Sequence, residues 1–231
     1  MNDVSRSCDK HPDLTNFKHR LPRLKAALQS NRKVRIVAIG SSSTAGVGSV
    51  LPYPPRLEML LRNEKEFFGR MIDVVNRGIS GQEAPEELSR FQTDVFDEMP
   101  ALVIWQVGTN AIYHNYSRDD VAAAIEFGLQ WLAGLPADVV LMDLQYTPAI
   151  VKKLASAEDM VTRISAAAEN AHVNVFRRFA LMQHWCLEGG IPIEQLSDPD
   201  DTSQLHMSDW ATNCVTQALF GAISGAPQPA A

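Results

Sequence analysis

Residues 33–46 read KVRIVAIGSSSTAG, and this stretch decides the fold. Residues 34–39 are a short, β-branched apolar run with charged residues before it and Gly40 after it, which is the pattern of a strand buried on both faces. Small hydroxyl residues follow the glycine, as at a turn that leads from a strand towards a helix. We therefore predict that a central strand ends at Gly40 and that the next residues form a strand-to-helix turn.

The same alternation continues along the chain. Four further apolar runs resemble the first, at residues 72–75, 102–107, 139–144 and 173–176. Helical patterns precede, separate and follow them, at residues 16–29, 55–62, 83–96, 118–132, 155–171 and 208–220. Repeated strand–helix units predict parallel strands with right-handed crossovers and helices on both faces. We predict an α/β, three-layer, flavodoxin-like sandwich with a five-stranded parallel sheet in the order 2-1-3-4-5.

Length and composition indicate one globular domain. The 231 residues are 45% hydrophobic and 21% charged, which suffices for a sizeable core. We divide the chain into an N-terminal helical extension (1–33), a main domain (34–224) and a disordered tail (225–231). The net charge of −6 argues against nucleic acid as a partner. Nothing in the sequence indicates an oligomeric state.

The sequence also bears on compartment. No apolar run is long enough to span a membrane and none resembles a signal sequence, so the default expectation is a cytoplasmic protein, while a removed leader stays open. Three cysteines, Cys8, Cys186 and Cys214, are an odd number without CxxC spacing. This argues against a disulfide framework and leaves a single bridge open.

The loops after the strands carry the chemically active residues. In a sheet of this kind the ligand site lies beyond the carboxyl ends of the strands. The segments expected there are Gly40-Ser41-Ser42-Ser43-Thr44-Ala45-Gly46, Asn76-Arg77-Gly78-Ile79-Ser80-Gly81, Gly108-Thr109-Asn110 and, before the last helix, Leu205-His206-Met207. Together they offer a serine hydroxyl, a glycine-loop N–H, an asparagine amide and an imidazole, which are the groups that acyl transfer requires.

These four segments, in this order, resemble the conserved blocks of the SGNH hydrolase family, the GDSL-like esterases and lipases. The resemblance runs from about residue 34 to 220. It implies Ser42 as the nucleophile and His206 as its base. It further implies an oxyanion hole formed by the N–H of Ser42, Gly78 and Asn110. No cofactor or metal is implied, and the expected partner is a small-molecule ester.

Three positions depart from the family pattern. Ser41 replaces the aspartate before the nucleophile, and Ala111 replaces the aspartate that often follows the asparagine. Ser203 stands three residues before His206, where the family has its acid. A bulged loop would bring Asp201 or Asp200 to the histidine; otherwise a Ser–His dyad would be oriented by Ser203 or a backbone carbonyl. These alternatives stay open, with Asp201 as the acid we favour.

The resemblance predicts a serine esterase that hydrolyses a small ester, with O-acyl or O-acetyl carbohydrate as one subclass, through an acyl-Ser42 intermediate. The missing aspartates motivate an alternative, a catalytically silent module of the same fold that binds an acylated glycan or similar ligand. Gln106, Gln145 and His114 are candidate substrate-binding residues. Packing at strand ends is the alternative role for the two glutamines, and a surface turn for the histidine.

Overall fold

The sheet is the centre of the structure, a computed structural model that describes residues 7–30, 32–65 and 71–226. Its strands are β1 (Val34–Gly40), β2 (Ile72–Gly78), β3 (Leu102–Gln106), β4 (Asp138–Met142) and β5 (Asn174–Phe176). All neighbouring pairs are parallel, and the order is β2-β1-β3-β4-β5. The predicted fold class and strand order are therefore confirmed.

The strand register brings the loops after the first three strands to the same edge of the sheet. β1 pairs with β2 from Val34 opposite Ile72 to Gly40 opposite Gly78, so both strands end at the same level. The interior of β1 and the whole of β3 are buried, as the uninterrupted apolar runs predict. The loops after β1, β2 and β3 consequently start side by side.

Helices cover both faces of the sheet. They are α1 (Pro12–Thr15), α2 (Pro22–Gln29), α3 (Ser42–Ala45), α4 (Tyr53–Asn63), α5 (Ala84–Leu88), α6 (Thr109–Tyr113), α7 (Arg118–Leu132), α8 (Pro148–Val151), α9 (Leu154–Asn170), α10 (Arg178–Leu187) and α11 (Asp209–Ser224). The bounds of α7 are those expected from its Ser117 cap, whose side chain accepts the N–H of Asp120.

Two helix predictions were wrong in extent. The helix expected over residues 16–29 begins only at Pro22, because Leu21 before the proline has φ −113° and ψ 68°, outside the helical region. The helix expected over residues 83–96 breaks after α5 and resumes as a π-helical turn at Gln92–Phe96. Neither break alters the sheet.

The N-terminal segment packs onto the main domain. Phe17, Leu21 and Leu24 are buried in the hydrophobic core. A disulfide joins Cys8 to Cys214 in α11, whereas Cys186 is a free thiol. Most of the predicted disordered tail, residues 227–231, lies outside the described residues. In the described part of the chain, no helix combines the length and apolarity needed to cross a membrane.

Candidate active site

The turn that holds Ser42 lies at the carboxyl end of β1. Ser42 is the first residue of α3 and is 8% exposed. At that position the N–H of Ser42 has no carbonyl of its own helix to bond, since the first N–H groups of a helix point outward. The turn thus presents a hydroxyl and a backbone donor from one residue.

Three side chains form a relay at this edge. The Oγ of Ser42 lies 3.1 Å from Nε2 of His206. Nδ1 of the same ring lies 2.9 Å from Oδ2 of Asp201. Because a carboxylate only accepts hydrogen bonds, Nδ1 carries the ring proton and Nε2 is free to accept the proton of Ser42.

Asp201 is held by its own turn. Its carboxylate accepts the backbone N–H groups of Ser203, Leu205 and His206 at 2.8–3.0 Å, and the hydroxyl of Ser203 at 2.6 Å. Partial burial raises the pKa of Asp201, but the hydrogen bonds from His206 and Ser203 outweigh it and hold this pKa well below its ordinary value. Asp201 is therefore ionised beside the imidazole.

The turn also brings Asp201 next to His206, although the two residues are five positions apart in the sequence. Gln204 adopts the left-handed region at φ 55° and its N–H bonds the carbonyl of Asp201, which absorbs the two additional residues. Ser203, at the family's acid position, supports Asp201 instead of contacting the ring. Asp200 is exposed, and its backbone N–H bonds the side chain of Asp198.

Gln106 lies behind the Ser42 turn. Its Oε1 accepts the N–H and the hydroxyl of Ser41, at 3.0 and 2.9 Å, and the hydroxyl of Ser43 at 3.0 Å. This contact requires Gly40, because a Cβ there would lie 2.9 Å from the same oxygen. Gln106 is 1% exposed and anchors both neighbours of Ser42.

Asn110 is fixed from two sides in α6. One hydrogen of its side-chain amide bonds the carbonyl of Gln82 at 2.8 Å, which leaves the second hydrogen available. The buried carboxylate of Glu83 accepts the N–H groups of Gly108 at 2.8 Å and Ala111 at 2.9 Å. Sequence reasoning missed Glu83; its signal was the Glu83–Glu86 capping box, which starts α5.

The two glycines of the loop after β2 differ in their surroundings. The N–H of Gly78 donates to Oδ1 of Asn76 at 2.9 Å, and a Cβ on Gly78 would lie 2.2 Å from the backbone nitrogen of Ala45. Gly81 has φ 84°, and nothing lies within 4 Å of its Cβ position. Gly78 thus allows β2 to approach α3, while Gly81 lies in open space next to Gln82.

The remaining candidates lie around the site. Gln145 is buried and its amide donates to the carbonyl of Leu205, next to His206. His114 directly follows α6, and its ring stacks on that of Tyr116 with the ring centres 5.4 Å apart. Across residues 7–30, 32–65 and 71–226, no three His, Cys, Asp or Glu side chains are grouped so that they could hold a metal ion.

Solved structures share this architecture. A catalytic mutant of the acetylxylan esterase Axe2 from Geobacillus stearothermophilus superimposes with a TM-score of 0.71 at 16% identity, over 84% of this chain and 96% of that one. The lipase/acylhydrolase from Enterococcus faecalis gives a TM-score of 0.69 at 17% identity, over 86% and 99%. The predicted fold is therefore shared with a solved esterase structure and a solved acylhydrolase structure.

The family follows from the sequence comparison. The model of the non-GDSL lipase-like family matches residues 7–228, and the chain belongs to that family. The match includes residues 7–33 of the predicted N-terminal extension. A shorter similarity, 33% identity over 75 residues, links the chain to the uncharacterized lipoprotein YqeF of Bacillus subtilis, and it spans 32% of this chain and 31% of that protein.

Proposed function

We propose that this protein is a carboxylic-ester hydrolase that works through an acyl-Ser42 intermediate. The observation that carries the proposal is the unbroken relay from Asp201 through His206 to Ser42, with contacts of 2.9 and 3.1 Å. His206 takes the proton of Ser42 as the hydroxyl attacks the ester carbonyl, and returns it to the leaving alcohol. Asp201 holds the ring and stabilises the imidazolium.

The oxyanion of the tetrahedral intermediate needs preorganised donors. The N–H of Ser42 and the second amide hydrogen of Asn110 fit this role. For the glycine donor, the geometry favours Gly81 over Gly78. The N–H of Gly78 is already bonded to Asn76, whereas Gly81 precedes the residue whose carbonyl holds Asn110.

A small pocket supports a short acyl group. It has a volume of about 20 Å³ and lies beside Ser42 and His206. Its apolar lining includes Val47, Val50 and Pro52. A single water needs at least ~10–15 Å³ by the same measure, so this half-open space can accept a group of methyl size. With the acetylxylan esterases among the structural neighbours, an O-acetyl carbohydrate is the substrate class we favour.

The experiment is active-site labelling combined with an acyl-chain series. A fluorophosphonate should label wild-type protein at Ser42, shown by peptide mass mapping, and should leave Ser42→Ala unlabelled with unchanged thermal unfolding. kcat/KM should be highest for p-nitrophenyl acetate and fall for the butyrate and octanoate. Absence of both labelling and turnover in wild-type protein would favour the silent binding module. Faster turnover of the octanoate would refute the acetyl preference.

We also infer that the protein works outside the cytoplasm, contrary to the default expectation. The Cys8–Cys214 bridge supports this, since disulfides persist in oxidising compartments, and so does the similarity to a lipoprotein. Protein exported to the periplasm and alkylated without reductant should take up label at Cys186 alone. Labelling of all three cysteines would contradict the inference.

A further inference from the structure

A buried arginine lies beneath the proposed active site. Arg178 is the first residue of α10, directly after the turn that follows β5, and is 0% exposed. Burial lowers the pKa of its guanidinium to about 10, so the group stays charged at neutral pH. Burying a guanidinium costs desolvation free energy, which hydrogen bonds and charges of the surrounding protein must offset.

The guanidinium connects three other loops. Its Nε and Nη2 donate to the backbone carbonyl of Asp143, after β4, at 3.0 and 2.7 Å. Nη1 donates to the hydroxyl of Ser43, after β1, at 3.2 Å. Nη2 also reaches the hydroxyl of Thr109, after β3, at 3.4 Å. One side chain therefore links the carboxyl ends of β1, β3, β4 and β5.

Two of these contacts adjoin residues of the proposed mechanism. Ser43 follows the nucleophile Ser42, and its hydroxyl accepts from Arg178 while it donates to Gln106. Thr109 precedes Asn110, the proposed oxyanion donor. The arginine thus contacts the residue beside each of the two groups whose separation must match the tetrahedral intermediate.

The carboxyl group of Asp143 attracts the guanidinium of Arg178 but makes no hydrogen bond to it. Its Oδ1 accepts the N–H of Phe179, and its buried Oδ2 has no partner among the described residues. Burial raises the pKa of Asp143 to about 7, so this carboxyl is largely neutral below that pH. The side-chain N–H groups of Arg178 donate to Ser43, Thr109 and the backbone carbonyl of Asp143.

We propose that Arg178 is a positioning residue, which sets the spacing between the Ser42 turn and the Asn110 loop through Ser43 and Thr109. The proposal rests on the proposed esterase function. It assigns no contact with substrate to Arg178. Loss of the guanidinium should therefore slow the chemical step and leave substrate affinity nearly unchanged.

The test is a double-mutant cycle between Arg178→Met and Ser43→Ala, read as kcat and KM for p-nitrophenyl acetate. Arg178→Met should lower kcat by about 10–10³-fold, as expected when misplaced groups lose alignment. KM should change by less than about threefold. In the double variant the two effects should not multiply, because both remove the same link. Arg177→Met, an exposed neighbour, is the matched control and should retain wild-type kcat.

If Arg178→Met does not fold, Thr109→Val and Ser43→Ala test the same link with the arginine in place. Each substitution should lower kcat, and the double variant with both substitutions should have a lower kcat than either single variant. Multiplicative effects in the Arg178–Ser43 cycle, or a rise in KM with unchanged kcat, would overturn the positioning role. Failure of the esterase proposal is distinct, because wild-type protein itself would then show neither turnover nor labelling.

Discussion

Replacing Asp201 with asparagine removes the negative charge beside His206 and keeps the size of the side chain. In wild-type protein Oδ2 lies within hydrogen-bond distance of Nδ1 of His206, of the N–H groups of Leu205 and His206, and of the hydroxyl of Ser203. An asparagine oxygen at that position preserves these bonds without the charge. If the NH₂ group of the asparagine takes that position instead, it faces other hydrogen-bond donors and the bonds are lost. Either way the imidazolium formed during attack loses its counter-ion.

The size of the loss follows from the geometry. At 2.9 Å and an effective dielectric constant of about 20, the attraction between imidazolium and carboxylate is about 6 kcal/mol. That figure corresponds to about four decades in rate, close to the effect of the same substitution in serine proteases, about 10⁴-fold. Solvent screens the pair, since the two side chains are 22% and 15% exposed. We therefore expect kcat to fall by about 10²–10⁴-fold.

The assay compares kcat and KM for p-nitrophenyl acetate in wild type, Asp201→Asn and Asp200→Asn. Asp200→Asn is the control, because Asp200 is exposed and directly precedes Asp201, and this variant should retain wild-type kcat. Thermal unfolding checks that each variant is folded. A folded Asp201→Asn variant with kcat within about threefold of wild type would refute the reasoning, because His206 would then act without a carboxylate.

Three further substitutions test separate parts of the site. Asn110→Ala should lower kcat by about 10²–10³-fold with little change in KM. A higher KM with unchanged kcat would instead mean that the amide binds the substrate and does not stabilise the oxyanion. Gly78→Ala should cost about 1–3 kcal/mol in urea unfolding, because its Cβ would meet the backbone of Ala45; an unchanged midpoint would refute the close approach. Asp143→Asn should flatten the pH dependence of stability. The pKa of Asp143, raised to about 7 by burial, makes wild type lose stability as pH rises from about 4 to 7, whereas asparagine keeps the acceptor for Phe179; parallel curves for both proteins would contradict this.

The fold was predictable because its signals are local. Each strand is a short β-branched run, and strand–helix alternation leaves few arrangements of a parallel sheet. The errors fell where local signals conflict with chain geometry. Pro22 fits the first turn of a helix and cannot continue one, so the N-terminal helix is shorter than its apolar pattern. The π-helical turn at Gln92–Phe96 has no sequence signal that periodicity detects.

The site was predictable only in part. Ser42, Asn110 and His206 follow strands or precede a helix, so the topology alone brings their loops to one edge. The sequence favoured Asp201 as the acid but left Asp200 and a Ser–His dyad open, because the conformation of this loop depends on a left-handed residue at Gln204. The support by Gln106 depends equally on contacts between distant segments. Such residues look like ordinary core or capping positions until the chain is folded.

Ser41 and Ser203 occupy the two positions at which the SGNH pattern has an aspartate, and each serine makes a contact that an aspartate could not make. Ser41 donates its hydroxyl to Oε1 of Gln106, and Ser203 donates its hydroxyl to Asp201. A carboxylate at either position would instead face an acceptor oxygen, and next to Asp201 it would face a second negative charge. Restoring either aspartate alone would therefore disrupt the contact that replaced it. The serine at each position thus matches the acceptor that it contacts, Gln106 for Ser41 and Asp201 for Ser203.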